Sequence, residues 1–146
     1  MIPSTPKALG YHFPAEWYPH RATWLSWPHK EASWPGKIAS VYGPYCQFIK
    51  EVAAGEQVCI NVADEAMQQT ALYHLSEAGV DLSRISFFHH PTDDAWCRDH
   101  GPAFLINPDT DPQKLIVDWG YNAWGNKYPP YDRDDVIPTL IANALG

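Results

Sequence analysis

The sequence predicts an α/β domain, in which strands and helices alternate along the chain. The apolar residues between Lys37 and Ala54 recur at the spacing of a helix, whereas Gln57–Ala63 is a short apolar run typical of a strand. The chain has 146 residues, of which 45% are hydrophobic, and this is enough for the packed core of one domain. We therefore expect a folded unit and not a disordered chain.

After an irregular, proline-rich segment at residues 1–20, the chain predicts the order strand, helix, strand, helix, strand. The strands are Ala22–Trp27, Gln57–Ala63 and Arg84–His90. The helices are Lys37–Ala54 and Ala66–Ala78, and Pro44 is expected to kink or interrupt the first of them. Proline or glycine directly follows four of these five segments, at Pro28, Gly55, Gly79 and Pro91.

The rest of the chain predicts a hairpin and a last helix. Strands Pro102–Asn107 and Lys114–Gly120 are joined by a turn sequence rich in proline and aspartate. A helix is predicted from Asp132 to Leu145, and Pro138 interrupts it unless this proline falls in the first turn. Together with the preceding segments, these elements complete an α/β pattern.

The overall charge and the cysteine content limit the class of protein. The 17 acidic and 10 basic residues give a net charge of −7, which argues against a general nucleic-acid binder because phosphate binding requires a basic surface. This charge suits solubility and is compatible with a small cationic ligand. The 3 scattered cysteines favour a reducing compartment, and no apolar run reaches membrane-spanning length. We expect a cytoplasmic protein that binds neither nucleic acid nor membrane.

One segment, HHPTDDAWCRDHGP at residues 89–102, concentrates the reactive side chains. The spacing of Cys97 and His100, with His89 and His90 nearby, would suit a zinc ion. The signal is weak because no second ligand pair occurs in the chain. In addition, His89 and His90 end a predicted strand and are expected to point to opposite faces.

The same segment allows a cysteine nucleophile. Arg98 and His100 lie close to Cys97 in sequence, and positive neighbours would lower the pKa of its thiol. If the segment is extended, however, Trp96 and Cys97 point in opposite directions, so a ligand that contacts Trp96 leaves Cys97 facing the core. An isolated cysteine is most often a small buried apolar residue, and we expect this role for Cys97.

Two further interpretations are a cation pocket and a simple loop. A guanidinium group is planar and charged, so it pairs with a carboxylate and packs on an aromatic face, and Trp96 with Asp99 offers both. Alternatively, Asp93 and Asp94 form a turn and Arg98 pairs locally with Asp99 or Asp94. From these residue types alone, the simple loop is favoured over the pocket.

Three motifs occur in a fixed order over nearly the whole chain. They are FPAEWYPHRATWLSWP at Phe13–Pro28, DDAWCRDHGPAFLIN at Asp93–Asn107 and DWGYNAWGNKYPPYDRDD at Asp118–Asp135. Together they resemble the N-terminal part of the agmatine deiminases, within the peptidyl-arginine deiminase family of guanidine-modifying enzymes. The resemblance implies a five-bladed α/β propeller of the pentein type. Residues 1–146 would be the N-terminal portion of a single deiminase domain and supply one to one and a half blades.

The resemblance also implies an activity. Family members of this kind hydrolyse agmatine to N-carbamoylputrescine and ammonia, a step in putrescine and polyamine biosynthesis, and related members act on free arginine or peptidyl-arginine. A cysteine thiolate attacks the guanidinium carbon, a histidine moves protons and carboxylates hold the nitrogens. No metal and no other cofactor is implied.

The motifs assign roles to individual residues. Asp99 matches the catalytic aspartate that holds the guanidinium, Trp96 matches the aromatic residue of the same pocket, and Asp93 is a further substrate-binding candidate. Arg98 matches the motif as a residue that braces the loop. The family's nucleophilic cysteine, histidine and glutamate belong to later segments that this chain does not contain, so Cys97 is not assigned as the nucleophile.

We therefore expect residues 1–146 alone to be inactive and to be part of a longer deiminase. Two alternatives remain open: a non-catalytic module that binds a guanidinium group, and a degenerate remnant of the family. The remnant would leave strand edges and apolar surface uncovered, which favours self-association. The expected partners are a small cationic guanidine such as agmatine and either a second copy of the chain or the missing C-terminal part.

Overall fold

The computed structural model describes residues 5–146, and a three-stranded parallel sheet forms its centre. The strands are β1 (Ala22–Ser26), β2 (Gln57–Val62) and β3 (Ile85–His89), in the spatial order β1-β2-β3. In this register Trp24 lies opposite Cys59, and Cys59 lies opposite Ser86. All three predicted strands are confirmed to within one residue at each end.

Two helices connect these strands, α1 (Ile38–Ala53) and α2 (Glu65–Glu77). The Asp64 side chain accepts a hydrogen bond from the Met67 amide at 2.9 Å and so caps the start of α2. Single turns of 3₁₀ helix occur at Lys7–Leu9, Glu31–Ser33 and Leu82–Arg84. Within the described residues, no helix has both the length and the apolar character needed to cross a membrane.

Pro44 does not interrupt the helix, because α1 runs through this residue. Proline has no N–H to donate to the carbonyl four residues earlier, at Ser40. Both Ser40 and Pro44 are exposed, so the unpaired carbonyl lies on the outer side of the helix, where water can bind it. The inner side keeps its contacts through Cys46, Ile49 and Ala53, which are buried.

The main core lies between one face of the sheet and the two helices. Strand order and right-handed crossovers place α1 and α2 on the same face. The side chains buried there include Trp27, Ile49, Val58, Ile60, Val62 and Leu75. On the opposite face the rings of Trp24 and Phe88 lie 4.5 Å apart, and this face is available to pack against the loop that follows β3.

The hairpin consists of β4 (Ala103–Ile106) and β5 (Lys114–Val117), which pair antiparallel with Ala103 opposite Val117. The segment before β1 adds to this hairpin, since His12 and Ile106 exchange backbone hydrogen bonds of 3.0 and 2.9 Å. Of residues 1–20, predicted to be irregular, residues 1–4 lie outside the described residues. The second strand of the hairpin, predicted as Lys114–Gly120, ends at Val117.

Four short helical segments were either missed or misjudged from the sequence. The loop after β3 contains one turn, α3 (Cys97–His100), and the loop after β5 contains another, α4 (Ala123–Asn126). The predicted last helix is two helices, α5 (Asp132–Asp135) and α6 (Ile137–Leu145). Pro138 lies in the first turn of α6, where its missing N–H leaves no intrahelical bond unmade, so the chain restarts its helix there.

Replacement of Ile49 by alanine should lower the free energy of unfolding by about 2–5 kcal/mol, because this fully buried side chain fills the space between α1 and the sheet. Its neighbour Phe48 is 49% exposed, so Phe48→Ala should cost less than about 1 kcal/mol. Urea denaturation of both variants provides the measurement. Equal losses of stability in the two variants would contradict the burial of Ile49 on the inner side of α1.

Candidate functional site

The loop between β3 and β4 is held in place by buried carboxylates. Asp94 is buried, and its Oδ2 accepts a hydrogen bond from the Ser33 hydroxyl and lies 3.7 Å from the Lys30 ammonium. Its Oδ1 accepts from the Ala95 amide at 2.8 Å. Asp94 therefore ties the loop to the segment after β1, and its charge is already partly compensated.

Helix α5 provides the second attachment. Asp134 Oδ1 accepts hydrogen bonds from the backbone amides of Asp93 at 2.7 Å and of Asp94 at 3.3 Å. In return, the Arg133 amide donates to Asp93 Oδ2 at 2.9 Å. The carboxylate of Asp93, a predicted substrate ligand, is thus occupied in this structure by the first turn of α5.

Helix α3 positions Asp99, and Trp96 lies directly before it. Trp96 has non-helical backbone angles, with φ −79° and ψ 52°, and Asp99 lies three residues later within the helix. Both side chains are exposed, whereas His100 on the inner side is buried. The turn therefore exposes an indole ring and a carboxylate to solvent, and only the indole lines the cavity described below.

Arg98 does not pair with its acidic neighbours. Its guanidinium donates to the carboxylate of Glu16, which lies 82 residues earlier in the first motif. The expected local pairing with Asp99 or Asp94 is wrong, because the helical turn directs Arg98 to the N-terminal segment. Arg98 does not neutralise Asp99.

An aromatic wall borders the turn and consists of Trp96, Trp124 and Tyr128. Trp124 meets Trp96 edge to face at a centroid distance of 5.7 Å and meets Tyr128 in the same way at 5.9 Å. All three rings are partly open to solvent, with exposed fractions of 42%, 49% and 51%. Flat exposed rings of this kind bind planar cations.

Sequence reasoning did not identify Trp124, because its position depends on an unusual backbone. All four residues of α4 have positive φ angles, including 46° at Ala123 and 57° at Trp124. This conformation is costly for residues with a Cβ atom, and strain of this kind is concentrated at functional sites. The Asn122 side chain stabilises the turn by accepting a hydrogen bond from the Gly125 amide at 2.9 Å. In the sequence, Trp124 lies in the third motif, Asp118–Asp135, but the motif assigned it no role.

A cavity of about 390 Å³ lies beside the aromatic wall. Trp96 and Tyr128 form apolar parts of its lining, and Asp94 contributes a carboxylate. Lys30 and Lys127 also line it, so the cavity contains two ammonium groups and one carboxylate. Its volume is sufficient for a small molecule.

Cys97 has the properties of a structural residue. Its thiol donates to the Trp24 carbonyl at 3.3 Å on the free face of the sheet. Burial, opposed by a hydrogen bond with Ser26 and reinforced by the nearby negative charge of Asp134, raises the pKa of this thiol to about 11. The thiol is therefore protonated at neutral pH and is a poor nucleophile.

The histidines of the segment also have local roles. His89 bonds to the Gln68 side chain at 2.8 Å, whereas His90 bonds to the Asn61 side chain at 3.2 Å on the other face. Burial lowers the pKa of His100 to about 4, so this imidazole is neutral. Across residues 5–146, no group of three or more His, Cys, Asp or Glu side chains is placed to hold a metal ion.

Residues 12–146 match the family model of the Porphyromonas-type peptidyl-arginine deiminases. The chain belongs to this family. Among curated relatives, the agmatine deiminase of Ectopseudomonas mendocina is 35% identical over 99% of this chain and 38% of its own length. The chain thus spans less than two fifths of the relatives that it matches.

Solved structures share the fold of this chain. An X-ray structure provisionally named as an agmatine deiminase superimposes with a TM-score of 0.85 at 29% identity, over 98% of this chain and 38% of that one. The substrate-bound agmatine deiminase of C. jejuni gives a TM-score of 0.75 at 22% identity, over 91% of this chain and 36% of that one. The α/β arrangement described above is the fold shared with the matching part of these deiminases.

Native Cys97 should react slowly with iodoacetamide. At pH 7.5 we expect alkylation to be at least about tenfold slower than in urea, because only the thiolate reacts and the folded thiol holds its proton. Mass spectrometry of the digested protein locates the label. Rapid stoichiometric labelling of Cys97 in the native protein would contradict the structural role.

Gly125→Ala should lower the free energy of unfolding by about 1–2 kcal/mol, because φ is +75° at this position. An added Cβ meets no atom within 4 Å, so the cost arises from the backbone alone. Gly120 provides the matched control, since it is equally open but has no positive φ. Thermal denaturation compares the variants, and an equal effect at both positions would contradict the strained turn.

Proposed function

We propose that this chain is the N-terminal portion of an agmatine deiminase, which hydrolyses agmatine to N-carbamoylputrescine and ammonia on the route to putrescine in the cytoplasm. The observation that carries the proposal is the exposed pair of Trp96 and Asp99 on one helical turn. Curated relatives that match nearly the whole chain are named agmatine deiminases, and this supports the choice of substrate.

The chemistry of the pair suits a guanidinium group. The carboxylate of Asp99 can accept two parallel N–H donors from the planar cation, and such charge-assisted pairs fix orientation as well as affinity. The indoles of Trp96 and Trp124 offer the π faces on which the same cation packs. Residues 1–146 would thus supply half of the pocket, and the rest of the deiminase would cover it and exclude water.

The nucleophile must come from outside this chain. Burial raises the thiol pKa of Cys46, Cys59 and Cys97 alike, so none of the three is prepared to form a thiolate. The substrate-bound C. jejuni relative is a cysteine-to-serine variant. In the proposed reaction a cysteine thiolate attacks the guanidinium carbon, ammonia leaves and water hydrolyses the covalent intermediate. We expect residues 1–146 alone to release no ammonia.

The proposed architecture is the first one to one and a half blades of a five-bladed propeller. Large apolar side chains support this, because Phe13, Trp17 and Trp119 are 65%, 88% and 69% exposed. A surface with such residues is normally covered by protein. The remaining deiminase segments are the first candidate to cover it, and a second copy of the chain is the other.

Free arginine is a second candidate substrate. Lys30 and Lys127 both line the cavity beside Trp96, and only one carboxylate, Asp94, lies there with them. Ammonium groups favour the carboxylate of arginine and disfavour the distal ammonium of agmatine. Lys127→Ala should then lower the kcat/KM for arginine and spare that for agmatine.

In the full-length protein, Asp99→Asn and Trp96→Ala should each reduce the kcat/KM for agmatine by at least about tenfold, since each removes a contact worth roughly 1.5 kcal/mol or more. Ammonia release measures the loss. Asp109→Asn is the matched control for Asp99→Asn, because it changes an exposed aspartate in the turn between β4 and β5, away from the cavity. If Asp99→Asn retained full activity, this pocket would not hold the guanidinium.

A further inference from the structure

Asp134 is the charged side chain whose position the proposed reaction does not explain. It is 2% exposed, and within residues 5–146 no Lys, Arg or His forms an ion pair with it. Lys30 lies against Asp94, and Arg98 pairs with Glu16. The charge is stabilised instead by the amides of Asp93 and Asp94.

The surroundings of Asp134 are unfavourable to a negative charge. The carboxylates of Asp93 and Asp94 face it from the loop, together with the Cys97 thiol of α3 and the Tyr121 hydroxyl from the segment before α4. Burial, reinforced by these two carboxylates and opposed by the two amides, raises the pKa of Asp134 to about 6. A surface helix would normally place an aspartate in solvent, so the buried position serves the loop and not α5.

We propose that Asp134 is a positioning residue. Its carboxylate accepts hydrogen bonds from the backbone amides of Asp93 and Asp94 and thereby fixes Trp96 and Asp99 for guanidinium binding. This inference rests on the proposed function. The amides of Asp94 and Asp93 lie two and three residues before Trp96, and α3 begins directly after Trp96. A shift of the backbone at residues 93–94 therefore moves the whole turn that carries the indole and the carboxylate.

The strength of these two hydrogen bonds depends on the charge of Asp134. The ionised carboxylate accepts charge-assisted hydrogen bonds, which are roughly twice as strong as neutral ones. Protonation of Asp134 as the pH falls through about 6 weakens both bonds, so substrate positioning is lost on the acidic side.

The effect on stability has the opposite sign. The folded-state pKa lies above the ordinary value of an aspartate, so the folded state binds this proton more tightly than the unfolded state. The stability contributed by the group is present at low pH and lost as the pH rises through about 6. A neutral residue at 134 should therefore stabilise the fold at pH 7.5 and weaken catalysis, a combination that a purely structural role does not produce.

The test uses the full-length protein with Asp134→Asn, which keeps an acceptor oxygen but removes the charge. The control is Asp132→Asn, which removes an equal charge from an exposed position of the same helical turn. At pH 7.5 we expect Asp134→Asn to lower the kcat/KM for agmatine roughly tenfold, because two charge-assisted bonds become neutral. We also expect it to raise Tm, because a buried negative charge is removed. The ratio of wild-type to variant kcat/KM should approach one at pH 5, and the Asp132→Asn ratio should stay near one throughout.

A ratio for Asp134→Asn that does not change between pH 5 and 7.5 would overturn the inference. Hydrogen exchange of the Asp93 and Asp94 amides separates this result from failure of the proposed function. If the wild-type protein releases no ammonia from agmatine, the proposed function fails. Faster exchange of these two amides in Asp134→Asn above pH 6 would still support the positioning role of Asp134. Equal exchange rates of these amides in the wild-type protein and the variant would overturn the positioning role of Asp134.

Discussion

The site depends on which face of the parallel sheet is left free. Two right-handed crossovers place α1 and α2 on one face, and their contacts with β2 form the main core. The other face receives the loop after β3, through the Cys97 thiol on the Trp24 carbonyl. Because the loop lies on this rigid surface, α3 can project Trp96 and Asp99 outward.

The regular elements were largely predictable from local pattern. A continuous apolar run placed β2 and helical spacing placed α2 to within one residue, since both pack in the same core. The misjudged segments are those where distant residues decide. Pro44 remains helical because the opposite side of α1 is buried, and Arg98 pairs with Glu16, which no short-range pattern connects to it.

The candidate site was predicted in its residue types but not in its geometry. In an extended segment, side chains three residues apart point to opposite sides, whereas the turn of α3 leaves both Trp96 and Asp99 exposed and buries His100. That turn is fixed by Asp94 and Asp134, whose partners lie 61 and up to 41 residues away. The position of Trp124 follows from positive φ angles at residues with side chains, for which sequence offers little signal.

The contact between Trp96 and Trp124 also has an optical consequence. Two indole rings at 5.7 Å, with planes 87° apart, are close enough for their electronic transitions to couple. The near-ultraviolet circular dichroism of the protein should therefore contain a contribution from this pair. A cation that enters between the rings changes their separation, so the chain carries an intrinsic, label-free reporter of its own pocket.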